Sequence, residues 1–422
     1  MTPRIRYALR TLLGPWLVVP AFGMEAAIFL TRGMPWRGEG LWTVDWFAIS
    51  IFIIGPLCSG VAAIDAARLS RPGNIHLVVS VSRSGWAYLR AAAWCAIPLV
   101  CLHLLTIAVA LIVGRVGHPS VSWWSLVAGA LVQCLGIVWY VALGSAIGRF
   151  TGVLVAGLVG GVGAFILSYA IGGAFASEPT FQLLNLGSAT ITMIGKSFSA
   201  AYLASQAVLF ITTAAIFMTL RVQPRSGLRV PSTGATVAAI AAVAAIGVAP
   251  VVLPGQRYDS TPHPPTACAG TRPEICLYPE HERYAALVSQ PINALAQAAQ
   301  ANGYLRFMPE RIIEESRSYR PSGPGVFALY LPTSVYEDGL FSLEDAASTL
   351  LNPTHCQFVQ DPSVGGVDME QFAFNYFSLL TTWLQLAGVE DVSAPTSTKH
   401  LSPQEASTIL DSFANCRLDV RL

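Results

Sequence analysis

Seven runs of apolar residues, each about twenty residues long, fill most of the first 254 positions. A bilayer core of about 30 Å is crossed by roughly 20 apolar residues in a helix, so each run predicts a membrane span. Gly157 and Gly161 stand four residues apart in the fifth run, a spacing that allows another helix to approach closely. The runs lie near residues 11–30, 46–66, 91–114, 123–147, 151–175, 201–220 and 233–253.

After Pro254 the pattern changes to the shorter amphipathic stretches of a globular domain. Residues 281–302 have helical periodicity, and residues 369–386 predict an apolar, aromatic helix. Ser402 and Glu405 have the spacing of a capping box at the start of the last helix. Further predicted elements are a strand at 326–331 and a helix at 342–351. The pattern therefore predicts a small helix-rich α/β domain.

Composition and charge support two regions in two environments. The chain is 53% hydrophobic and only 12% charged, whereas soluble domains carry about 25% charged residues. Residues 1–254 contain 15 basic and 5 acidic side chains, while residues 255–422 contain 10 basic and 19 acidic ones. The arginines of the first region separate apolar runs instead of sharing one face, so we expect no binding of nucleic acid.

These observations predict an α-helical polytopic membrane protein with a separate domain at its C-terminus. Residues 1–220 would form six core transmembrane helices, and residues 221–254 a basic linker with a seventh, tethering helix. Residues 255–422 would form the disulfide-containing extracytoplasmic domain. No cleavable signal peptide is expected, because the first apolar run is long and no small-residue cleavage site follows it.

The distribution of basic residues predicts the orientation in the plasma membrane. Connections on one side of the predicted spans contain 11 basic residues, against four on the other. Cytoplasmic loops carry the excess of Lys and Arg, so the N-terminus is predicted to be cytoplasmic. An odd number of spans then places residues 255–422 outside.

The cysteines agree with this orientation. Four of the eight lie within apolar runs, where they are expected to be small buried side chains. The other four lie in the C-terminal region, as expected for two disulfides in an oxidising compartment. We favour Cys268–Cys276 and Cys356–Cys416, although four cysteines allow three pairings.

Ionisable residues within the spans are candidates for function, because they are costly in lipid. Glu25 lies inside the first span and is the candidate for lining a pathway or pairing with another helix, with a structural hydrogen bond or a shallow position near the outer interface as alternatives. Asp65 and Arg68 favour an interfacial ion pair, and His103 is interpreted as a satisfied interior histidine.

No motif for catalysis accompanies these residues. Gly195-Lys196-Ser197 is similar to the end of a Walker A loop, but Thr190 stands where that motif needs a glycine. His281-Glu282 begins a zinc-protease motif, but Ala285 stands where its second histidine must be. We therefore expect that the chain is not an enzyme and binds no metal or cofactor directly.

Two connections are longer than the others. Residues 67–90 mix basic and apolar side chains on the cytoplasmic side, and are interpreted either as an ordinary basic loop or as a short helix that docks on a partner. Residues 177–200 are too short and too polar to span the membrane, so an interfacial or re-entrant segment is predicted.

The layout of six spans with a basic N-terminus, a long second connection and a semi-apolar segment before span six resembles the ABC-2-type exporter permeases. Residues 142–149 (ALGSAIGR) are similar to the short cytoplasmic connection of that family. Cys276 and Pro279-Glu280-His281 resemble the start of the extracytoplasmic domain in actinobacterial members. Many of these permeases begin with a long amphipathic helix, which is not evident here.

The resemblance implies a dimer of permease chains, identical or different, in contact with membrane lipid and with a cytoplasmic ABC ATPase subunit. ATP and Mg²⁺ would bind to that ATPase. The coupling loop to the ATPase would contain Arg68, Arg71, His76 and Arg83. The alternative is a membrane-anchored sensor or binding protein whose outer domain recognises a peptide or an envelope ligand.

Overall fold

The computed structural model is mostly helical, with small β-sheets in its second half. It describes residues 3–71, 85–115, 121–171, 182–187, 189–220, 222–225, 228–231, 237, 256–323, 325–360, 366–390, 392 and 398–422. Within these ranges, five helices are long and apolar enough to cross a membrane: Gly14–Gly33, Gly40–Leu69, Trp86–Val113, Trp123–Phe150 and Ala200–Thr219. The fold is therefore consistent with a polytopic helical membrane protein.

The first half of the chain contains seven helices, numbered here in chain order over the described residues. They are α1 Pro3–Thr11, α2 Val18–Leu30, α3 Gly40–Leu69, α4 Gly85–Val113, α5 Trp123–Phe150, α6 Val153–Phe165 and α7 Ala200–Thr219. Short 3₁₀ turns precede and follow α2, and a π-helical turn at Ile166–Ile171 follows α6. Five of the predicted spans thus correspond to α2, α3, α4, α5 and α7. The predicted span near 151–175 contains α6, a shorter apolar helix. The seventh predicted span, near 233–253, lies outside the described residues.

Helix α3 lies at the centre of the bundle and packs closely against α5 and α6. A Cβ atom at Gly144 or Gly148 of α5 would overlap a carbonyl oxygen of α3. Gly60 of α3 faces Gly157 and Gly161 of α6, and a Cβ atom at Gly60 would lie 3.0 Å from the carbonyl oxygen of Gly157. The close approach predicted from the glycine spacing is confirmed, and α3 is the helix that makes it.

The surface of the bundle is apolar between rings of tryptophan. Leu154 of α6 is 99% exposed, and Ile112 of α4 and Val208 of α7 are also exposed. Such a surface is expected where lipid is the solvent. Trp16 and Trp86 are exposed near one end of the bundle, and Trp123 and Trp124 near the other, as in the aromatic belts of membrane proteins.

The C-terminal domain, residues 256–422, is built around a four-stranded sheet. Its elements are β4 Tyr258–Ser260, β5 Ala267–Ala269, β6 Glu274–Leu277, α8 Ala285–Ala301, β7 Arg311–Glu314, β8 Val326–Leu329, α9 Thr333–Glu337, α10 Leu343–Leu351, α11 Gln357–Gln360, α12 Met369–Leu386 and α13 Pro403–Ala414. Strand order is β5-β6-β7-β8, antiparallel for the first pair and parallel for the next two. Helix α8 makes the crossover between the parallel strands β6 and β7, as parallel pairing requires.

Local sequence signals account for several boundaries of this domain. Ser402 and Glu405 form the predicted capping box at the start of α13, and Ser342 and Asp345 form another at α10. In the core, the indole of Trp383 on α12 stacks on Phe307, with ring centroids 4.8 Å apart. Its Nε1 donates a hydrogen bond to the carbonyl of Leu295 on α8 at 3.0 Å, so the polar atom of this buried side chain is satisfied.

Two strand pairs lie outside this sheet. β1 Lys196–Phe198, just before α7, pairs antiparallel with β4, so the polypeptide between α6 and α7 joins the C-terminal domain. β2 Val222–Arg225 and β3 Leu228–Pro231 form an antiparallel hairpin within the predicted basic linker. The C-terminal domain therefore packs on the end of the bundle where α2 ends and α3 begins. This end is called the domain end, and the other end of the bundle is called the opposite end.

Candidate functional site

A chain of buried polar side chains crosses the apolar bundle from α2 to α5. Oε1 of Glu25 on α2 accepts a hydrogen bond from Oγ of Ser50 on α3, at 2.8 Å, and lies 2.8 Å from Nδ1 of His103 on α4. Nε2 of His103 lies 3.0 Å from Oε1 of Gln133 on α5. All four residues are at most 2% exposed, so four helices meet through hydrogen bonds inside an apolar surrounding.

The hydrogen-bond geometry fixes the protons of this chain. Nε2 of Gln133 donates to the carbonyl oxygen of Val44 at 2.9 Å, so its Oε1 must face His103 and accept. Nε2 of His103 therefore carries a proton, and a second proton lies between Nδ1 and Glu25. The other carboxylate oxygen of Glu25 is buried without a donor among the described residues. Glu25 is thus paired with α3 and α4, and both ring nitrogens of His103 have hydrogen-bond partners.

From Leu183 to Ser199, the described residues before α7 form turns, irregular backbone and one short strand, and they enter the domain end of the bundle. This connecting segment comprises the described residues 182–187 and 189–199. The side chain of Leu186 fills the space beside Gly136 of α5, where a Cβ atom would lie 2.5 Å from its Cδ1. Gly136 is fourteenth in α5, so Leu186 lies roughly 20 Å along that helix. The stretch 177–200, predicted as interfacial or re-entrant, is partly buried in its described part: Leu183, Leu186 and Met193 are buried, whereas Asn185 and Thr190 are exposed.

Side chains from the surrounding helices satisfy the carbonyl groups of the connecting segment. Nε2 of Gln206 on α7 donates to the carbonyls of Leu183 and Asn185, at 2.6 and 2.8 Å. Nε1 of Trp42 on α3 donates to the carbonyl of Ala189 at 3.1 Å. Irregular backbone inside a membrane bundle is tolerated only where protein or water satisfies it, and here buried side chains do so.

Arg257 of the C-terminal domain completes this arrangement. Its guanidinium is buried, lies 3.2 Å from Oδ1 of Asp45 on α3, and donates to the carbonyl of Leu186 at 2.6 Å and to Oε1 of Gln206 at 3.1 Å. Asp45 also accepts from the backbone N–H of Ala189 at 2.8 Å. One arginine thus joins the C-terminal domain, the connecting segment and two helices through charge-assisted hydrogen bonds.

A second buried contact joins the same three parts of the molecule. Nε2 of His281 lies 2.9 Å from Oε1 of Glu39, the residue before α3, and Nδ1 of His281 contacts Glu314 at the end of β7. Glu39 also accepts from Oγ1 of Thr192 at 2.6 Å and from the N–H of Met193 at 2.8 Å in the connecting segment. The imidazole is therefore enclosed between two carboxylates.

The two carboxylates favour the charged form of His281. Burial is the largest influence on the pKa of His281 and lowers it, but the charges and hydrogen bonds of Glu314 and Glu39 together outweigh burial. The result is a pKa raised from 6.5 to about 10. At neutral pH this histidine is a cation that holds two anions together.

The opposite end of the bundle contains part of the predicted coupling loop. Asp65 on α3 accepts hydrogen bonds from the backbone N–H groups of Leu13 and Gly14, and Nη1 of Arg68 lies 3.9 Å from its Oδ1. The predicted ion pair is thus present, and Asp65 also holds the start of the first span. Arg71 is exposed. His76 and Arg83 lie outside the described residues, so the structure brings together only part of the predicted set.

Arg149 lies near the end of α5, at the opposite end of the bundle. Its guanidinium is 2% exposed and donates to the carbonyls of Leu220 and Met218 at the end of α7, at 2.7 and 3.0 Å. It also stacks over the ring of Tyr88 on α4, 4.4 Å from the centroid. The last carbonyl groups of a helix lack hydrogen-bond donors within the helix, and Arg149 donates to those of α7. The helix ends at this side are therefore tied together.

The four cysteines of the C-terminal domain are joined in the favoured pairs. The sulfur atoms of Cys268 and Cys276 are 2.02 Å apart, and those of Cys356 and Cys416 are 2.11 Å apart. Over the described ranges, both groups of three potential metal-ligating side chains contain one of these disulfides. Their sulfur atoms are already bonded, so neither group is offered as a metal site.

Sequence reasoning missed Gln133, Arg257, Glu39 and Glu314. A usable signal existed for one of them, because residues 1–254 contain only five acidic side chains and Glu39 is among them. Comparison of the chain with models of protein families, with curated proteins and with solved structures finds no match.

Proposed function

We propose that this chain is the permease subunit of an ATP-driven ABC transporter, an exporter that moves its substrate by alternating access while a separate chain hydrolyses ATP. The observation that carries the proposal is the connecting segment, an irregular stretch buried inside the bundle. Membrane proteins bury irregular backbone of this kind where a path for substrate is opened and closed. The segment would be the outer gate of the path.

The contacts of the segment suit a gate that moves as a unit. Its carbonyl groups are held by side chains of α5 and α7 and by Arg257, through hydrogen bonds that can be exchanged without breaking a helix. Release of Arg257 from Asp45 would free the segment and the C-terminal domain together. Switching then needs only two arrangements of one set of polar contacts.

Helix α3 would connect this gate to the ATPase. It is continuous over 30 residues, or roughly 45 Å at 1.5 Å per residue. Asp45 near its first turn holds Arg257 and the gate. Near its last turn, Asp65 holds the start of the first span and pairs with Arg68. A displacement at one end is thereby transmitted to the other.

The charge pattern supports the orientation that this mechanism needs. Arg32, Arg37, Arg115 and Lys196 are the basic residues of the loops at the domain end, whereas the connections at the opposite end contain 11. The positive-inside rule assigns the opposite end to the cytoplasm, and disulfides suit the outside. In this proposal six spans form the core, a seventh tethers the domain, and two permease chains pair on their ATPases.

Co-purification tests the proposal directly. Affinity purification of the full chain from its native membrane should recover an ABC ATPase in near-equal amount. In the purified complex, Arg71→Ala should lower the coupling of ATP hydrolysis to transport, since Arg71 is exposed at the cytoplasmic end of α3. Arg417→Ala, at an equally exposed arginine of the C-terminal domain, is the matched control.

A chain that is recovered without any ATPase, while its outer domain retains a peptide or envelope ligand, would favour the sensor over the permease. Unchanged coupling in Arg71→Ala and in Arg83→Ala would argue against residues 67–90 as the coupling loop.

A further inference from the structure

A cavity of about 700 Å³ lies where the C-terminal domain meets the domain end of α4. Its charged lining consists of Arg37 from the loop before α3, Arg115 after α4, and Glu280, Glu282 and Arg283 from the turn before α8. Three guanidinium groups and two carboxylates thus face one space. None of these residues belongs to the gate contacts described above.

The arginines of the cavity lack carboxylate partners. Across the described ranges, no ion pair within 4.0 Å involves Arg37, Arg115 or Arg283. Nη2 of Arg37 donates to Sδ of Met34 at 2.8 Å, a weak acceptor, and its Nε is buried with no acceptor in the same ranges. A buried donor without an acceptor is costly, so the site is suited to an anionic group supplied from elsewhere.

The surface beside the cavity indicates the source of that group. Leu105, Val109 and Ile112 are exposed and lie on one face of α4, at spacings of four and three residues. Val113, the last residue of α4, is also exposed and lines the cavity. An apolar stripe along α4 therefore leads to a charged cavity at the end of that helix.

We propose that this cavity binds the headgroup of a phospholipid with a phosphate and a primary amine, as in phosphatidylethanolamine. The guanidinium groups of Arg115 and Arg283 contact the phosphate, for which arginine provides paired donors. The carboxylate of the exposed Glu282 contacts the ammonium group. The acyl chains lie along the exposed face of α4. The site does not depend on the ATPase, so it can exist whether or not the chain is a permease.

Native mass spectrometry of the purified full chain tests this assignment. The probes are phosphatidylethanolamine, phosphatidylglycerol, diacylglycerol and inorganic phosphate, each added to delipidated protein. Phosphatidylethanolamine should be retained best and diacylglycerol least. The double variant Arg115→Gln/Arg283→Gln should bind phosphatidylethanolamine about tenfold more weakly, since charge-assisted hydrogen bonds contribute at least that factor. Arg417→Gln removes an exposed arginine elsewhere and should bind like the wild type.

Glu282→Gln gives a readout that does not depend on the amount of folded protein. It should reduce the preference for phosphatidylethanolamine over phosphatidylglycerol within a single mixed sample, because only the first lipid carries the ammonium group. Equal retention of diacylglycerol, an unchanged preference in Glu282→Gln, or wild-type binding by the folded double variant would each overturn the proposal. Binding of inorganic phosphate without retention of lipid would identify a free-anion site and would also overturn it.

Discussion

Nε2 of His281 lies 2.9 Å from Oε1 of Glu39, although 242 positions separate the two residues in the chain. The contact joins the C-terminal domain to the residue that precedes the central helix α3. Glu314 contacts the other nitrogen of the same imidazole. The imidazole of His281 therefore lies between two acidic groups from different parts of the molecule and allows both to be buried.

Replacement of His281 should separate these parts. In His281→Ala the carboxylates of Glu39 and Glu314, both 3% exposed, would face each other without a cation. Breaking a buried ion pair in this way costs about 3–5 kcal/mol. Thermal unfolding in detergent should show a lower midpoint and earlier proteolysis of the C-terminal domain. His400→Ala, at an exposed histidine of the same domain, is the control. Equal midpoints for the two variants would contradict the role of His281.

The same contact should make stability depend on alkaline pH. The pKa of His281 is raised from 6.5 to about 10 in the folded protein, so the folded state binds the proton more tightly than the unfolded state. This contribution is fully present below pH 6.5 and is lost as the pH rises through about 10. The difference in unfolding midpoint between the wild type and His281→Gln should therefore shrink over that range. A difference in unfolding midpoint that grows with pH would contradict a raised pKa of His281 in the folded protein.

The polar chain inside the bundle should behave as a coupled unit. His103→Leu leaves Glu25 buried without its partner, and Glu25→Leu removes the acceptor of His103. The double variant removes both groups and should be less destabilised than the sum of the two single variants. A double-mutant cycle on unfolding midpoints should give a coupling of about 0.5–3 kcal/mol. Ser205→Ala, at a half-buried position of α7 away from this polar chain, should add to either change independently.

The packing of the connecting segment against α5 should depend on the absence of a side chain at Gly136. In Gly136→Ala the added Cβ atom would lie 2.5 Å from Leu186, and overpacking of this kind costs about 1–3 kcal/mol. Leu186→Ala in the same chain should restore part of the loss. Gly163→Ala on α6 is the matched control, because a Cβ atom there has no neighbour within 4 Å. If Gly136→Ala and Gly163→Ala have the same unfolding midpoint, the segment does not pack there.

The two disulfides should contribute unequally to stability. Cys356 and Cys416 are 60 positions apart, whereas Cys268 and Cys276 are separated by 8. A longer closed loop constrains the unfolded chain more, so loss of the first bond should cost roughly 1–2 kcal/mol more. Paired Cys→Ser variants compared by chemical unfolding measure both contributions. A larger effect for the Cys268–Cys276 pair would contradict the argument from loop length.

The sequence by itself determined the features that depend on neighbouring residues. Helices α2 to α5 and α7 follow from the length of the apolar runs, since lipid requires every span to satisfy its own backbone. The capping box at Ser402 and the close approach at Gly157 likewise follow from residues three or four positions apart. The cysteines were also paired as favoured.

Only the tertiary structure decided which polar groups meet. Glu25 and His103 are 78 positions apart, and Asp45 and Arg257 are 212 apart. The helical period carries no information over such distances, because these partners are selected by how helices and domain pack. The sequence could identify Glu25 as a costly residue in lipid. It could not show that His103 would be the hydrogen-bond partner of its carboxylate. It predicted the buried connecting segment only as a non-spanning stretch, since its hydrogen bonds come from α3, α5, α7 and Arg257.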